Sequence, residues 1–213
     1  VPSAVTGFVQ PDGNPGQAAV SKGRLFVRLA TGPNEWAVWE ELDRPPGVPS
    51  ILDLDAVEGG AAEVFVLAPN GKPYGRRLEG ATWSAWKALS GNGYRRISAV
   101  KRPNGRRLVL TVDAKGKVAL HRQTGSAWTS SFKGSAKFPG VQRTVDDVDA
   151  MTDRNGITRI FATAENALWT RETEGKTTDS WLDWRTWDVR LLTFGDAFKK
   201  KATPAAQKGN YWK

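Results

Sequence analysis

The sequence predicts an all-β fold, a propeller of four four-stranded blades. Three observations carry this. The first is a tryptophan-rich run that recurs as EWAVWEEL (Trp36, Trp39), TWSAWKAL (Trp83, Trp86), AWTSSFKG (Trp128 alone, with Ser131 where a second indole would stand) and SWLDWRTW (Trp181, Trp184, Trp187). Successive first tryptophans lie 47, 45 and 53 residues apart, and a period in that range signals a solenoid, propeller or array. The second is a turn residue 12 to 15 positions before each first tryptophan: Gly23, Gly71, Gly116 and, in the last copy, Asn166. The third is the absence of any long amphipathic helical pattern over the repeat region.

The second copy shows the grammar best. Ile51–Ala56 (ILDLDA) alternates apolar and acidic residues, the period-2 sign of a half-buried strand with its acids toward solvent. Glu63–Ala68 (EVFVLA) is a β-branched and aromatic run that suits a strand buried on both faces. Asn70-Gly71 is the strongest short hairpin signal, expected as a type I′ turn with positive φ at both residues. Lys72–Leu78 is the third strand and TWSAWKAL the fourth, which completes the content of one blade. The first strands carry their own turns at Pro11-Asp12-Gly13, Gly59-Gly60, Asn104-Gly105 and Asn155-Gly156.

Four blades follow, at about residues 5–43, 50–90, 95–134 and 145–189, joined by Pro/Gly/Ser-rich segments such as 44–50 (RPPGVPS) and 134–140 (GSAKFPG). Together they make one domain over 1–190, and a fifth blade is left open to the chain ends. Residues 191–213 do not repeat the pattern. They form a basic C-terminal tail in which LLTFGDAF suits a single closing strand and KKKATPAAQKGNYWK suits a linker or partly ordered extension.

Three residues after each turn come Phe26, Tyr74, Ala119 and Trp169, and five after it come Arg28, Arg76, His121 and Arg171. Positions +3 and +5 of a strand share a face. Each blade therefore presents a basic side chain, beside an aromatic in all but the third. The two tryptophans of a pair differ by three and are expected on opposite faces, one toward each neighbouring blade.

The composition narrows the function. There is no cysteine, so disulfides and thiolate metal sites are excluded. No run of 18 apolar residues is present to span a membrane as a helix. The net charge is +9, yet residues 190–213 hold six basic residues and one acid, leaving +4 on the other 189 residues. That distribution is a weak footprint for nucleic acid. The chain begins at Val1 with no signal peptide, as a processed or trimmed end would, which is compatible with export.

Enzyme readings have little to stand on. His121 is the only histidine, so a catalytic triad or metal–histidine arrangement has one candidate and no second ligand. Asp146, Asp147, Asp149 and Asp153 form a carboxylate group of a kind glycosidases use, but Asp53 and Asp55 occupy the same kind of strand in another copy, which favours solvent-facing strand acids. Asp153-Arg154-Asn155-Gly156 lacks the terminal Glu of a calcium loop and reads as a hairpin turn. No Ser-x-Asp-x-Gly-x-Thr-Trp box of the sialic-acid-cleaving propellers is present.

The run of strand, Asn-Gly turn, aromatic-x-Arg and WSxWxxL resembles the tryptophan-repeat β-propeller lectins, the group of the tachylectin propeller and the bacterial fucose-binding propellers. Residues 156–184 (GITRIFATAENALWTRETEGKTTDSWLDW) match best, and the resemblance spans about residues 5–189. It implies sugar sites in shallow pockets between adjacent blades, near the tryptophans. The third copy departs from the pattern by losing its second tryptophan and its +3 aromatic, and the last is extended by Trp187.

Two roles remain open for the indoles. Trp36, Trp83, Trp128 and Trp181 recur in every copy and suit inter-blade core. Trp39, Trp86 and Trp184 suit stacking on the apolar face of a pyranose, with Arg28, Arg76, His121 and Arg171 as polar partners and Tyr74 and Trp169 beside them. A stacked or solvated cation is the competing role for the basic set. The function expected is therefore non-catalytic, multivalent binding of glycans on cell surfaces or glycoproteins, by a secreted protein without cofactors. The alternative is a protein–protein targeting or assembly domain of a larger secreted effector or toxin.

Overall fold

The computed structural model describes residues 1–57, 62–124, 127–131, 144–164, 167–175 and 181–187. They form four antiparallel sheets in sequence order. The first contains β1 (Ala4–Val9), β2 (Pro15–Ser21), β3 (Arg24–Gly32), β4 (Glu35–Trp36) and β5 (Glu40–Leu42). The second contains β6 (Asp53–Val57), β7 (Glu63–Leu67), β8 (Pro73–Glu79), β9 (Thr82–Trp83) and β10 (Lys87–Ala88). The third contains β11 (Tyr94–Lys101), β12 (Arg107–Asp113), β13 (Val118–Thr124) and β14 (Ala127–Ser131). The fourth contains β15 (Asp147–Thr152), β16 (Thr158–Ala164), β17 (Ala167–Glu172) and β18 (Arg185–Trp187). Each sheet is a meander, and the first strands β1, β6, β11 and β15 contact one another in succession. These are the blades of a β-propeller, with the first strands innermost.

The core consists of three seams. Phe8, Val20, Leu25 and Val27 of blade 1 pack on Leu54, Val64, Val66 and Leu78 of blade 2. Phe65 and Leu67 on the opposite face of blade 2 pack on Ile97, Val109 and Ala119 of blade 3. Leu108, Leu110 and Leu120 then meet Val148, Ile160, Ala162 and Trp169 of blade 4. β7 is buried at every position, as its unbroken apolar run requires.

The turn at Asn70-Gly71 is not type I′. Only Gly71 has positive φ (71°), Gly71 N–H donates to Ala68 O (2.8 Å), and Ala68 N–H donates to Lys72 O (3.0 Å). This is a three-residue loop, a type I turn closed by a left-handed glycine. Pro69 favours it, because its fixed φ suits the first central position of type I and forbids positive φ there. The type I′ turn is at Lys22-Gly23, where φ is 51° and 71°. The turn glycines also receive the next blade: Gly23, Gly71 and Gly116 carbonyls accept from the amides of Ile51, Tyr94 and Val145. Asn166, Gly59-Gly60, residues 134–140 and the tail lie outside the described residues.

The acids of the inner strands do not simply face solvent. Asp53 Oδ2 accepts the Ile97 amide (3.1 Å) and Asp55 Oδ2 the Ala99 amide (2.7 Å), both in the next blade. Asp55 Oδ1 also accepts Thr6 Oγ1–H from the preceding blade (2.9 Å). Burial raises the pKa of both carboxyls, against these hydrogen bonds. A side chain on an edge strand thus ties three blades together near the axis.

Candidate functional site

The fourth strand of blades 1 and 2 is broken. In blade 2, β9 and β10 both pair with β8 in registers that differ by one, and the ladder is interrupted after Ser84, whose N–H still donates to Arg77 O (2.8 Å); β4 and β5 likewise both pair with β3. The break cancels the parity rule for the tryptophan pair. Instead of facing opposite ways, both indoles converge on one guanidinium. Arg76 lies 5.8 Å from the Trp83 ring centre and 5.1 Å from that of Trp86. Arg28 lies 4.7 Å from Trp36 and 4.8 Å from Trp39.

Arg76 is 7% exposed and fixes this geometry. Its Nε–H donates to Ser84 O (3.0 Å), its Nη2–H to Trp83 O (3.3 Å), and its Nη1 pairs with Asp43 of blade 1. Those carbonyls lie at the interrupted segment, where ladder bonds are lost, so the guanidinium replaces part of the ladder. Trp86 Nε1–H donates to Asp43 O (3.0 Å), and Trp83 meets Phe8 of blade 1 edge to face at 6.2 Å. The second tryptophan and the arginine therefore clamp one blade to the end of the previous one.

Beside the clamp lies a cleft of about 370 Å3 between blades 1 and 2. Leu29, Val38 and Glu40 line it from blade 1, and Arg76, Thr82 and Trp83 from blade 2. Trp83, the expected core residue, packs against the seam core and also walls the cleft, while Trp86 packs on the same core and stacks on Arg76. Glu40 and Thr82 are exposed. The cleft thus offers an indole, an acceptor carboxylate and a hydroxyl within one opening.

The clasp recurs in blade 4. Arg171 Nε–H donates to Leu182 O (2.6 Å) and Nη2–H to Trp181 O (3.4 Å), the positions equivalent to Ser84 and Trp83. Burial lowers the Arg171 pKa. Trp181 and Trp184 pack against the core shared by blades 3 and 4. Trp169 is buried in that core, so its role is packing, not a ligand surface. Arg28 differs, for its Nε–H donates to Gln17 Oε1 (2.8 Å) within its own blade. Tyr74 is half-buried against the seam core, with Lys72 Nζ 5.7 Å from its ring centre.

Blade 3 shows no such clasp among its described residues. His121 is fully buried and cannot serve as a polar partner for a sugar. Its Nε2 shares a hydrogen bond with Thr111 Oγ1 (2.9 Å), and Tyr94 meets its ring edge to face at 5.5 Å. Burial lowers its pKa from 6.5 to about 4, so the imidazole is neutral at pH 7. Tyr94 occupies the position of Ile51 and Val145 in the other blades, as the shared bond to the turn glycine shows. A phenol and an imidazole together fill the seam that elsewhere holds an arginine.

Solved structures share the fold. The BP39L lectin from Burkholderia pseudomallei superposes with a TM-score of 0.66 at 17% identity, over 86% of this chain and 55% of that one. AofleA from Arthrobotrys oligospora gives 0.60 at 13%, over 87% and 56%. The six-bladed Aleuria aurantia lectin gives 0.61 at 15%, over 89% and 62%. The chain has the fold of the β-propeller lectins. It spans little more than half the length of these three. No protein-family model matches the chain, and comparison with curated proteins gives no match.

Proposed function

We propose that this propeller binds carbohydrate without chemistry, in the clefts between blades. The observation that carries the reading is the cleft between blades 1 and 2, which Trp83 and Thr82 line from blade 2 and Glu40 from blade 1. A pyranose has an apolar C–H face for an indole and hydroxyls for a carboxylate, and the opening falls within the size range of small-ligand sites. The Arg76–Asp43 clamp holds the wall rigid, so little ordering entropy is lost on binding.

The similar solved structures support the choice of ligand. The Aleuria aurantia lectin is fucose-specific, and a fucoside is the first sugar to test here. Working sites on this chain are the seams that keep the arginine clasp, those served by Arg76 and Arg171. The seam filled by His121 and Tyr94 is closed. Two weak sites on one rigid scaffold gain avidity on a glycan-coated surface through effective concentration. Such surfaces are extracellular, and a secreted protein is part of this proposal.

The test is titration with methyl α-L-fucoside and a glycan panel, against Glu40→Ala. Glu40 is exposed and its loss leaves the seam core intact. Removing a charged hydrogen-bond acceptor weakens binding about 10-fold or more. Absence of binding to every glycan, or unchanged affinity in Glu40→Ala, overturns the reading.

A further inference from the structure

Blades 1 and 2 carry the same triad of one arginine and two indoles, and only one of the two triads is occupied. In blade 2 the triad grips a single residue of blade 1. Arg76 Nη1 pairs with the Asp43 carboxylate, and Trp86 Nε1–H donates to Asp43 O (3.0 Å). In blade 1, Arg28 stands at the same offset from its turn glycine and stacks on Trp36 and Trp39. Its Nε–H is held by Gln17 Oε1 (2.8 Å), which fixes the guanidinium against the rings. Among the described residues, Nη1 and Nη2 of Arg28 have no hydrogen-bond or ion-pair partner, and neither has Trp39 Nε1. Exposure follows occupancy. Arg76 is buried and Trp86 half-buried, whereas Arg28 is half-buried and Trp39 is 42% exposed. Along β3, Val27 and Leu29 pack toward blade 2, so Arg28 between them projects from the opposite face. Of the triad, only Arg28 also borders the cleft between blades 1 and 2.

We propose that Arg28, Trp36 and Trp39 form a receptor for an aspartyl residue of another polypeptide. Blade 2 displays the ligand in place: the carboxylate of Asp43 meets the guanidinium and its backbone carbonyl meets the second indole N–H. A carboxylate without that carbonyl satisfies only half of the triad. The blade 1 receptor has more to give than its occupied counterpart. Arg76 spends Nε–H and Nη2–H on Ser84 O and Trp83 O, while both Nη groups of Arg28 are left for one carboxylate, the paired geometry that guanidinium groups form best. The two flanking rings keep water from the ion pair and strengthen it. The proposal concerns a different ligand and a different face from the sugar cleft, and stands or falls separately from it.

The probe is the peptide acetyl-EELDRPP-amide, which copies residues 40–46 and so carries the aspartate that blade 2 already holds. It is titrated into the full chain while the indole N–H signals are followed by NMR. Saturable movement of the Trp36 and Trp39 signals is expected, with Trp86 and Trp128 still. The same peptide with asparagine in place of its aspartate should bind about 10-fold or more weakly, and Arg28→Gln should weaken the parent peptide to a similar extent. Trp39→Phe, which keeps an aromatic ring and removes the N–H, should cost about 3-fold or more. Urea unfolding of both variants checks that the blade is intact. An unmoved Trp39 signal, equal affinity for the aspartyl and asparaginyl peptides, or unchanged affinity in Arg28→Gln would each overturn the proposal. So would D-glucuronate moving the same signals at lower concentration than the peptide, which would assign the triad to acidic sugars.

Discussion

His121 makes the blade 2–3 seam sensitive to acid. Its pKa is about 4 in the fold against 6.5 for a free imidazole, because burial penalises the charged form. A histidine with a depressed folded pKa contributes stability that is complete above pH 6.5 and lost as pH falls toward 4. The difference corresponds to about 3 kcal/mol, a large part of what keeps a typical domain folded. The perturbation is acidification from pH 7.5 to 4, compared with the same change in His121→Gln. Carboxylates titrate over the lower part of this range in both proteins, so the difference between the two urea-unfolding curves isolates the imidazole. The wild type should lose about 3 kcal/mol more than the variant. Since His121 is the only histidine, its ring proton signals report the titration directly. An imidazole titrating near 6.5, or equal acid sensitivity in both proteins, would refute the reasoning.

Three further outcomes are expected. Gly75→Ala should destabilise by about 1–3 kcal/mol in chemical denaturation, because a Cβ there would stand 2.7 Å from the fully buried Phe65 ring. Glu63→Ala should cost about 3 kcal/mol in the same assay; Glu63 is buried, 2.7 Å from Arg107 Nε and 3.6 Å from Arg77 Nη2, so its loss removes the carboxylate shared by two cations of adjacent blades. Arg76→Lys should destabilise and shift the Trp83 and Trp86 indole resonances together, since an ammonium cannot span Ser84 O, Trp83 O and Asp43 as the guanidinium fork does.

The repeat was legible because each blade must solve the same packing problem, and the solutions are large or conformationally special residues: a tryptophan, a left-handed glycine, an arginine at a fixed offset. The tryptophan geometry was not legible. Parity along a strand holds only while the ladder is continuous, and nothing in TWSAWKAL marks the break between Trp83 and Lys87. A signal was present in Arg76, whose five donors need acceptors when buried, and a broken strand supplies free carbonyls. The inner-strand aspartates were hidden for a related reason. Period-2 alternation assigns Asp53 and Asp55 to one face, but whether that face meets water or a neighbour's amides depends on the next blade. The closure of the blade 2–3 seam was half visible, in the missing second tryptophan and the histidine in place of arginine. The contribution of Tyr94 needed the register between blades. Trp169 shares the offset of Tyr74, yet it is buried in the seam while Tyr74 is only half-buried.

The decisive measurement is an indole-resolved NMR titration with methyl α-L-fucoside and, in turn, other monosaccharides. Saturable movement of the Trp83 side-chain signal, its midpoint raised about 10-fold or more by Glu40→Ala while Trp128 in the closed seam stays still, is the result expected. If no sugar moves Trp83, or if Trp128 responds as strongly, the inter-blade cleft is not where this propeller binds.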